Sequence, residues 1–161
     1  MKKDQSNNQK LYVSWQEINV FCKKVTKELK KINFTPDLII TPLRGGVIPA
    51  VIISHMTGIS NLITVMASRT KDDSIEAERK EIILGKLPTS TEVENKNILI
   101  VDEIADSGDT LDRLYYQISN LKPQKIITSV MFTNSKRFKK VNRKPDISTN
   151  NTTQWIVFPW E

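Results

Sequence analysis

The chain has 161 residues with 39% hydrophobic residues and only 5 glycines, which is enough for one globular domain with a real core. Its one cysteine, Cys22, excludes an internal disulfide, and one cysteine plus one histidine, His55, cannot supply a zinc site. The net charge of +6 suits an anionic ligand but does not identify one.

Residues 1–10 are polar and lack the apolar stretch of a signal peptide. No apolar run approaches the roughly 20 residues that are needed to cross a bilayer. We therefore expect a cytoplasmic protein with no membrane contact. Its first ten residues should form a disordered tail, and residues 11–161 should form a single domain.

The apolar pattern predicts strands that alternate with helices. We predict an edge strand at 11–13 and then a helix that starts at a Ser14–Glu17 capping box. That helix should pack through Trp15, Ile18, Cys22, Val25 and Leu29. A strand at 38–41, a helix at about 47–56 and a strand at 61–66 should follow. Residues 68–80 are almost all polar, and we interpret them as a mobile loop.

The turn after the strand at 38–41 reads Arg44-Gly45-Gly46. Two glycines allow backbone amides to approach a ligand closely, and an arginine offers a planar fork for phosphate oxygens. The alternative is a tight turn with an ordinary surface arginine.

Residues 98–110, ILIVDEIADSGDT, carry the strongest functional signal. Residues 98–101 predict a central strand that is buried on both faces, and Asp102 and Glu103 stand where it should end. A polar turn, 106–110, then enters an amphipathic helix, and unpaired amides at a helix start bind phosphate. The acids would repel a bare anion, so they indicate Mg²⁺ or sugar hydroxyls. The alternative is an ordinary strand, turn and capped helix.

The last third contains a predicted strand at 125–132 and a basic stretch at 136–144. We interpret the basic stretch as a solvated loop rather than a nucleic-acid surface, because Phe138 is its only aromatic residue. Strands that alternate with helices indicate a parallel sheet with helices on both faces. Both loops, at Arg44 and at 102–110, should therefore meet at the carboxyl edge of that sheet.

Residues 98–110 resemble the thirteen-residue signature of the type I phosphoribosyltransferases, in which two acids precede an Asp-Ser/Thr-Gly-x-Thr loop. The usual acidic pair is Asp-Asp or Glu-Asp, whereas this chain has Asp102-Glu103. The resemblance implies an α/β fold with a doubly wound, mainly parallel sheet of about five core strands. Helices would cover both faces, and the chain termini would form a small hood. It also implies a cis peptide bond between Leu43 and Arg44.

The ending 155–161, WIVFPWE, is similar to that of the bacterial and archaeal xanthine-guanine and hypoxanthine enzymes of this family. The resemblance implies that 134–161 contribute a base-binding hood in which Trp155 stacks on the purine and the backbone at Ile156 reads its edge. The resemblance also implies that a lysine donates a hydrogen bond to O6 of the purine. The first lysine here is Lys136, with Thr133 or Asn134 in the usual place.

The implied activity is the Mg²⁺-dependent transfer of a phosphoribosyl group from 5-phosphoribosyl-1-pyrophosphate (PRPP) to a 6-oxopurine, by a homodimer or homotetramer. Asp106 would bond purine N7, and Asp102 and Glu103 would hold ribose hydroxyls and Mg²⁺. Residues 68–80 would close as a lid that brings Arg79 to the pyrophosphate. The residues expected to contact PRPP are Arg44, Gly45, Asp102, Glu103, Ile104, Ala105, Asp106, Ser107, Gly108, Asp109 and Thr110.

Two other functions stay open at this point. One is a regulator that keeps the fold but binds nucleic acid through 136–144, without transferase activity. The other is a pyrimidine or adenine transferase, which requires the C-terminal tryptophans to be purely structural.

Overall fold

The computed structural model describes residues 10–69 and 81–161. Residues 1–9 of the predicted tail lie outside that range, as do residues 70–80, which include Arg79 and most of the predicted lid. Among the described helices, none combines the length and apolar character needed to cross a membrane. The elements in chain order are β1 Lys10–Tyr12, α1 Trp15–Lys31, β2 Leu38–Leu43, α2 Val47–Thr57, β3 Leu62–Arg69, β4 Ile82–Leu84, α3 Ser90–Val93, β5 Asn97–Ala105, α4 Asp109–Ser119, β6 Lys125–Asn134, β7 Ile147–Thr152 and β8 Trp155–Val157.

The main sheet has six strands in the order β4-β3-β2-β5-β6-β7. Strands β3, β2, β5, β6 and β7 are parallel, and β4 is antiparallel on the β3 edge. The chain builds outward from β2 to β3 and then returns to place β5 on the other side of β2. The strand order therefore reverses between β2 and β5, where open α/β sheets bind their ligands.

The two faces of the sheet bury different helices, as the sequence pattern predicts. In β5, Leu99 and Val101 belong to a core with α1 and α2, whereas Ile98 and Ile100 belong to a second core with α3 and α4. Alternate residues of a strand point to opposite faces, and apolar residues at every position bury both. The predicted doubly wound sheet with helices on both faces is confirmed.

Helix α1 begins as predicted. The Ser14 hydroxyl accepts a hydrogen bond from the Glu17 N–H, and the Glu17 carboxylate accepts one from the Ser14 N–H at 2.7 Å. The predicted packing residues Ile18, Cys22, Val25 and Leu29 are buried, and so is Phe21. Burial raises the pKa of the Cys22 thiol to about 12, which leaves it inert at neutral pH.

The prediction that Trp15 packs in the core with the other residues of this helix is wrong. Trp15 is 55% exposed, and its ring lies 5.9 Å from that of Trp160 rather than in the core. Trp15 is the first residue of α1, directly after the N-cap Ser14, and at this end of the helix its side chain does not pack in the core.

The two ends of the chain pair to form the hood. Strand β1 is parallel to β8, with Lys10 opposite Trp155 and Tyr12 opposite Val157. Beyond β8, Phe158 stacks on Trp160 with the ring centroids 4.8 Å apart. Phe158 is buried in the core, whereas Trp155 is 60% exposed. The aromatic residues of this ending thus divide between packing and an accessible face.

Several predicted boundaries are wrong. Strand β5 continues through Asp102 and Glu103 to Ala105, and β3 runs to Arg69, inside the segment predicted as a loop. Strand β7 was not predicted at all. Its sequence, ISTNNT, has one apolar residue, and its place in the sheet comes from pairing with β6 at the edge.

The capping box makes stability depend on pH. Hydrogen bonds from the Ser14 backbone and side chain lower the pKa of Glu17 below 4.5. This stabilisation is therefore present above pH 4.5 and is lost as the pH falls through the lowered pKa. We expect Glu17→Gln to lower the free energy of unfolding at pH 7 by about 0.5 kcal/mol. Chemical denaturation should show the difference shrinking towards pH 3, and Glu81→Gln, at an exposed position outside the helices, should show no such trend. A difference equal at both pH values would contradict this role.

Candidate active site

The two predicted loops meet at the carboxyl ends of β2 and β5, where they line a cavity of about 290 Å³. Every residue that the sequence assigned to PRPP lines this cavity, from Arg44 and Gly45 to the run 102–110. The described residues therefore bring the arginine, the acids and the polar turn together at the predicted switch point.

The turn after β2 packs closely against the acids. The peptide bond between Leu43 and Arg44 is cis, as the resemblance implies, and Arg44 is exposed. A side chain at Gly45 would overlap the Glu103 carboxylate, and one at Gly46 would lie 2.9 Å from the Val101 carbonyl oxygen. The backbone contact makes glycine necessary at position 46, whereas at position 45 the Glu103 side chain would have to move aside.

Asp102 and Glu103 form a confined acidic pair. Asp102 is 6% exposed, and its Oδ1 accepts a hydrogen bond from the Glu103 N–H at 2.8 Å. Burial, together with the neighbouring charge of Glu103, raises the pKa of Asp102 well above its usual value. Within the described part of the chain, the buried Glu103 Oε2 has no hydrogen-bond partner. Such a carboxylate is suited to a cation or to hydroxyl donors.

The chemistry of the acidic pair suits a magnesium ion that takes only part of its ligands from the protein. In the ranges 10–69 and 81–161, no group of three or more His, Cys, Asp or Glu side chains could hold a metal ion by itself. Mg²⁺ commonly uses one or two protein carboxylates and completes its shell with water and phosphate oxygens. Glu103 and Asp102 can supply that protein share.

The polar turn, residues 106–110, is here called the phosphate turn. Gly108 has φ of +86°, and α4 starts at Asp109, so the turn lies at the positive end of a helix dipole. The Asp109 N–H donates a hydrogen bond to Ser107 Oγ at 3.3 Å. The Asp109 carboxylate accepts hydrogen bonds from Lys139 Nζ and Asn142 Nδ2, both at 2.8 Å. Burial would raise the pKa of Asp109, but the hydrogen bonds from Lys139, Asn142 and Ser107 lower it to about 2. Asp109 is therefore ionised at neutral pH.

Asp106 has two partners that the sequence did not assign to it. Its Oδ1 accepts a hydrogen bond from Asn134 Nδ2 at 2.9 Å and lies 3.2 Å from Arg137 Nε. Asn134 is buried, and its Oδ1 accepts the backbone N–H groups of Lys136 and Arg137 at 3.1 Å. The sequence signal for Asn134 was weak: Thr133 or Asn134 stands where the resemblance expects a lysine.

The predicted purine-binding residues are more dispersed. Lys136, the predicted O6 contact, is exposed, and the neighbouring Arg137 places its Nε 3.2 Å from Asp106 Oδ1. Trp155 and Ile156 lie on β8 in the hood and do not line the 290 Å³ cavity. His55 is exposed on α2 and does not line this cavity.

Comparison with known proteins agrees with this geometry. The model of the phosphoribosyl transferase domain family matches residues 13–161. Xanthine phosphoribosyltransferase 1 of Saccharomyces cerevisiae is 27% identical over 97% of this chain and 91% of its own length. Xanthine-guanine phosphoribosyltransferase of Idiomarina loihiensis is also 27% identical, over 96% of this chain and 89% of its own.

A solved structure shares the architecture. The purine phosphoribosyltransferase from Pyrococcus horikoshii superposes with a TM-score of 0.81 at 27% identity, covering 94% of each chain. The fold, the site and the family match lead to one identification. The chain belongs to the phosphoribosyltransferase family.

The two glycines of the β2–α2 turn should respond differently to substitution. Gly46→Ala places a methyl group against the backbone of β5, which cannot yield, and should cost about 1–3 kcal/mol of stability. Gly45→Ala meets the end of a flexible glutamate side chain and should cost clearly less. Thermal unfolding of both variants tests this order. A Gly46→Ala variant as stable as the wild type would show that the described packing is wrong.

Proposed function

We propose that this protein transfers the 5-phosphoribosyl group of PRPP to N9 of a 6-oxopurine, namely xanthine, guanine or hypoxanthine, with release of pyrophosphate. The observation that carries the proposal is the single cavity in which a phosphate-binding turn, two acids and an arginine-glycine turn converge. The relatives with xanthine and guanine in their names support the choice of base. Purine salvage is the role that follows.

Each part of PRPP has a complementary group in the cavity. The amides of the phosphate turn suit the 5′-phosphate, and the carboxylates of Asp102 and Glu103 suit the ribose hydroxyls. The Arg44 guanidinium and the backbone at Gly45 suit the pyrophosphate. Mg²⁺ held by Glu103 and Asp102 would supply charge neutralisation of the pyrophosphate leaving group.

The base should enter between Asp106 and the hood. Asp106 would accept the N7 proton of the purine, since its carboxylate faces the cavity and keeps acceptor capacity beside Asn134. The 6-oxo oxygen lies next to N7 and accepts hydrogen bonds, which a guanidinium beside Asp106 can donate. Arg137 is therefore a second candidate for the O6 contact, while Lys136 stays a prediction. The exposed face of Trp155 would stack on the base.

Asp106 provides the first test. Asp106→Asn keeps the shape but cannot take a proton, so turnover should fall by about 10²–10⁴-fold. PRPP binding, measured by calorimetry, should persist, and the surface control Glu28→Gln should leave both properties unchanged. Turnover near the wild-type value in Asp106→Asn would exclude the proposed proton transfer.

Glu103 provides the test of the metal. Glu103→Gln retains the volume beside Gly45 but lowers the affinity for a cation. The Mg²⁺ concentration that gives half-maximal activity should rise by about tenfold or more. An unchanged Mg²⁺ dependence, or full activity of the wild type in excess chelator, would remove the magnesium from the proposal.

A base panel separates this proposal from its alternatives. The wild type is mixed with PRPP, Mg²⁺ and each base in turn, and nucleotide formation is followed. Product with adenine or a pyrimidine alone would favour the other transferases. No product with any base, together with salt-sensitive nucleic-acid binding, would favour a regulator. The cytoplasmic location and the homodimeric or homotetrameric state stay predictions.

A further inference from the structure

The phosphate turn carries the carboxylate of Asp109 close to the amides that are proposed to bind a phosphate. Asp109 is the first residue of α4 and lines the same cavity as the amides that are proposed to receive a phosphate. An ionised carboxylate there would repel the phosphate unless its charge were balanced and its side chain held aside. The partners of Asp109 therefore bear directly on ligand binding.

Ser107 Oγ donates one hydrogen bond to Asp109 at 2.9 Å, and two further partners lie in residues 137–143, here called the clamp loop. Lys139 Nζ and Asn142 Nδ2 both bind the Asp109 carboxylate at 2.8 Å. These contacts span thirty or more positions of sequence, so they tie the loop after β6 to the start of α4. Most of this stretch is exposed, as expected for a solvated loop, but Lys139 and Asn142 also attach it to the phosphate turn.

The clamp loop also holds the backbone of the phosphate turn. The Ser107 carbonyl oxygen accepts hydrogen bonds from the Lys139 N–H and from Asn142 Nδ2, both at 3.0 Å. In a trans peptide unit the carbonyl and the next N–H point in opposite directions. Fixing the Ser107 carbonyl towards the clamp loop therefore aims the Gly108 N–H away from it.

Phe138 adds a steric contact on the same side. A side chain built at Gly108 would lie 2.8 Å from a carbon of the Phe138 ring. The ring therefore packs directly on the glycine. Two hydrogen-bonded side chains, a backbone donor and an aromatic ring thus contact a turn of only five residues.

We propose that the clamp loop is a positioning element for the sugar-phosphate substrate, with Lys139 as the residue that neutralises Asp109 and Asn142 as the residue that fixes the turn. This inference rests on the proposed function, because it assumes that the turn receives the 5′-phosphate of PRPP. On this proposal the basic stretch supports the active site by holding the phosphate turn, and its charge is explained without a nucleic-acid partner. The chain carries an acid in the turn and the cation that offsets it in a distant loop.

A matched pair of lysines tests the proposal. Lys139 binds Asp109, whereas Lys140 is the next residue, is exposed and makes no hydrogen bond or ion pair with the described residues. Lys139→Met should raise the KM and the Kd for PRPP by about tenfold, the loss expected for one charge-assisted hydrogen bond. The kcat and the KM for the purine should stay within about twofold. Lys140→Met should leave all four values unchanged, and Lys139→Arg should restore most of the PRPP affinity.

A double-mutant cycle with Asp109→Asn isolates the charge effect. Once the carboxylate is gone, Lys139→Met should raise the Kd for PRPP by clearly less than it does in the wild type. The same rise in both backgrounds, or an equal effect of Lys139→Met and Lys140→Met, would overturn the proposal. Thermal unfolding is measured for each variant, and Lys139→Arg provides the comparison if Lys139→Met folds poorly.

PRPP binding by calorimetry keeps this inference separate from the proposed transfer reaction. A wild type that binds PRPP but transfers it to no base would contradict the proposed function and leave the clamp loop to be judged by the Kd values. A wild type that does not bind PRPP would overturn both.

Discussion

The close contact between the Gly45-Gly46 turn and the end of β5 is the constraint on which the site depends. Strand order places β2 beside β5, and the missing side chains let the turn reach the Glu103 carboxylate and the Val101 backbone. Asp102 is thereby buried and Glu103 loses solvent on one side. Burying these carboxyl groups costs free energy, and the hydrophobic packing of the sheet offsets that cost.

The cavity brings together groups that favour anions and groups that favour cations or hydroxyls, which suits a ligand that carries both kinds of partner. Amides and Arg44 favour anions, while Asp102 and Glu103 favour a cation or hydroxyl groups. A phosphorylated sugar with a magnesium-bound pyrophosphate carries all of these features. Lys139, paired with Asp109, would offset the negative charge at the start of α4 that opposes such a ligand.

Features that depend on neighbours in the chain were predictable from sequence, and those that depend on contacts between distant residues were not. The run at residues 98–101 predicts a strand buried on both faces, and the Ser14–Glu17 pair predicts a helix start, because each depends on neighbours in the chain. Strand β7 has an unpatterned polar sequence and exists through its hydrogen bonds to β6. Asn134 and Arg137 reach Asp106 across roughly thirty residues, a proximity that no local pattern contains. The cavity residues were found because a contiguous motif carries most of them.

The most direct measurement of the central claim is a crystal structure of this chain with PRPP and Mg²⁺. The account predicts the 5′-phosphate on the amides of residues 107–110 at about 3 Å, with the ribose hydroxyls at Asp102 and Glu103. The pyrophosphate should lie at Arg44 and Gly45. PRPP bound elsewhere, or a phosphate turn filled by side chains of the protein itself, would contradict the account.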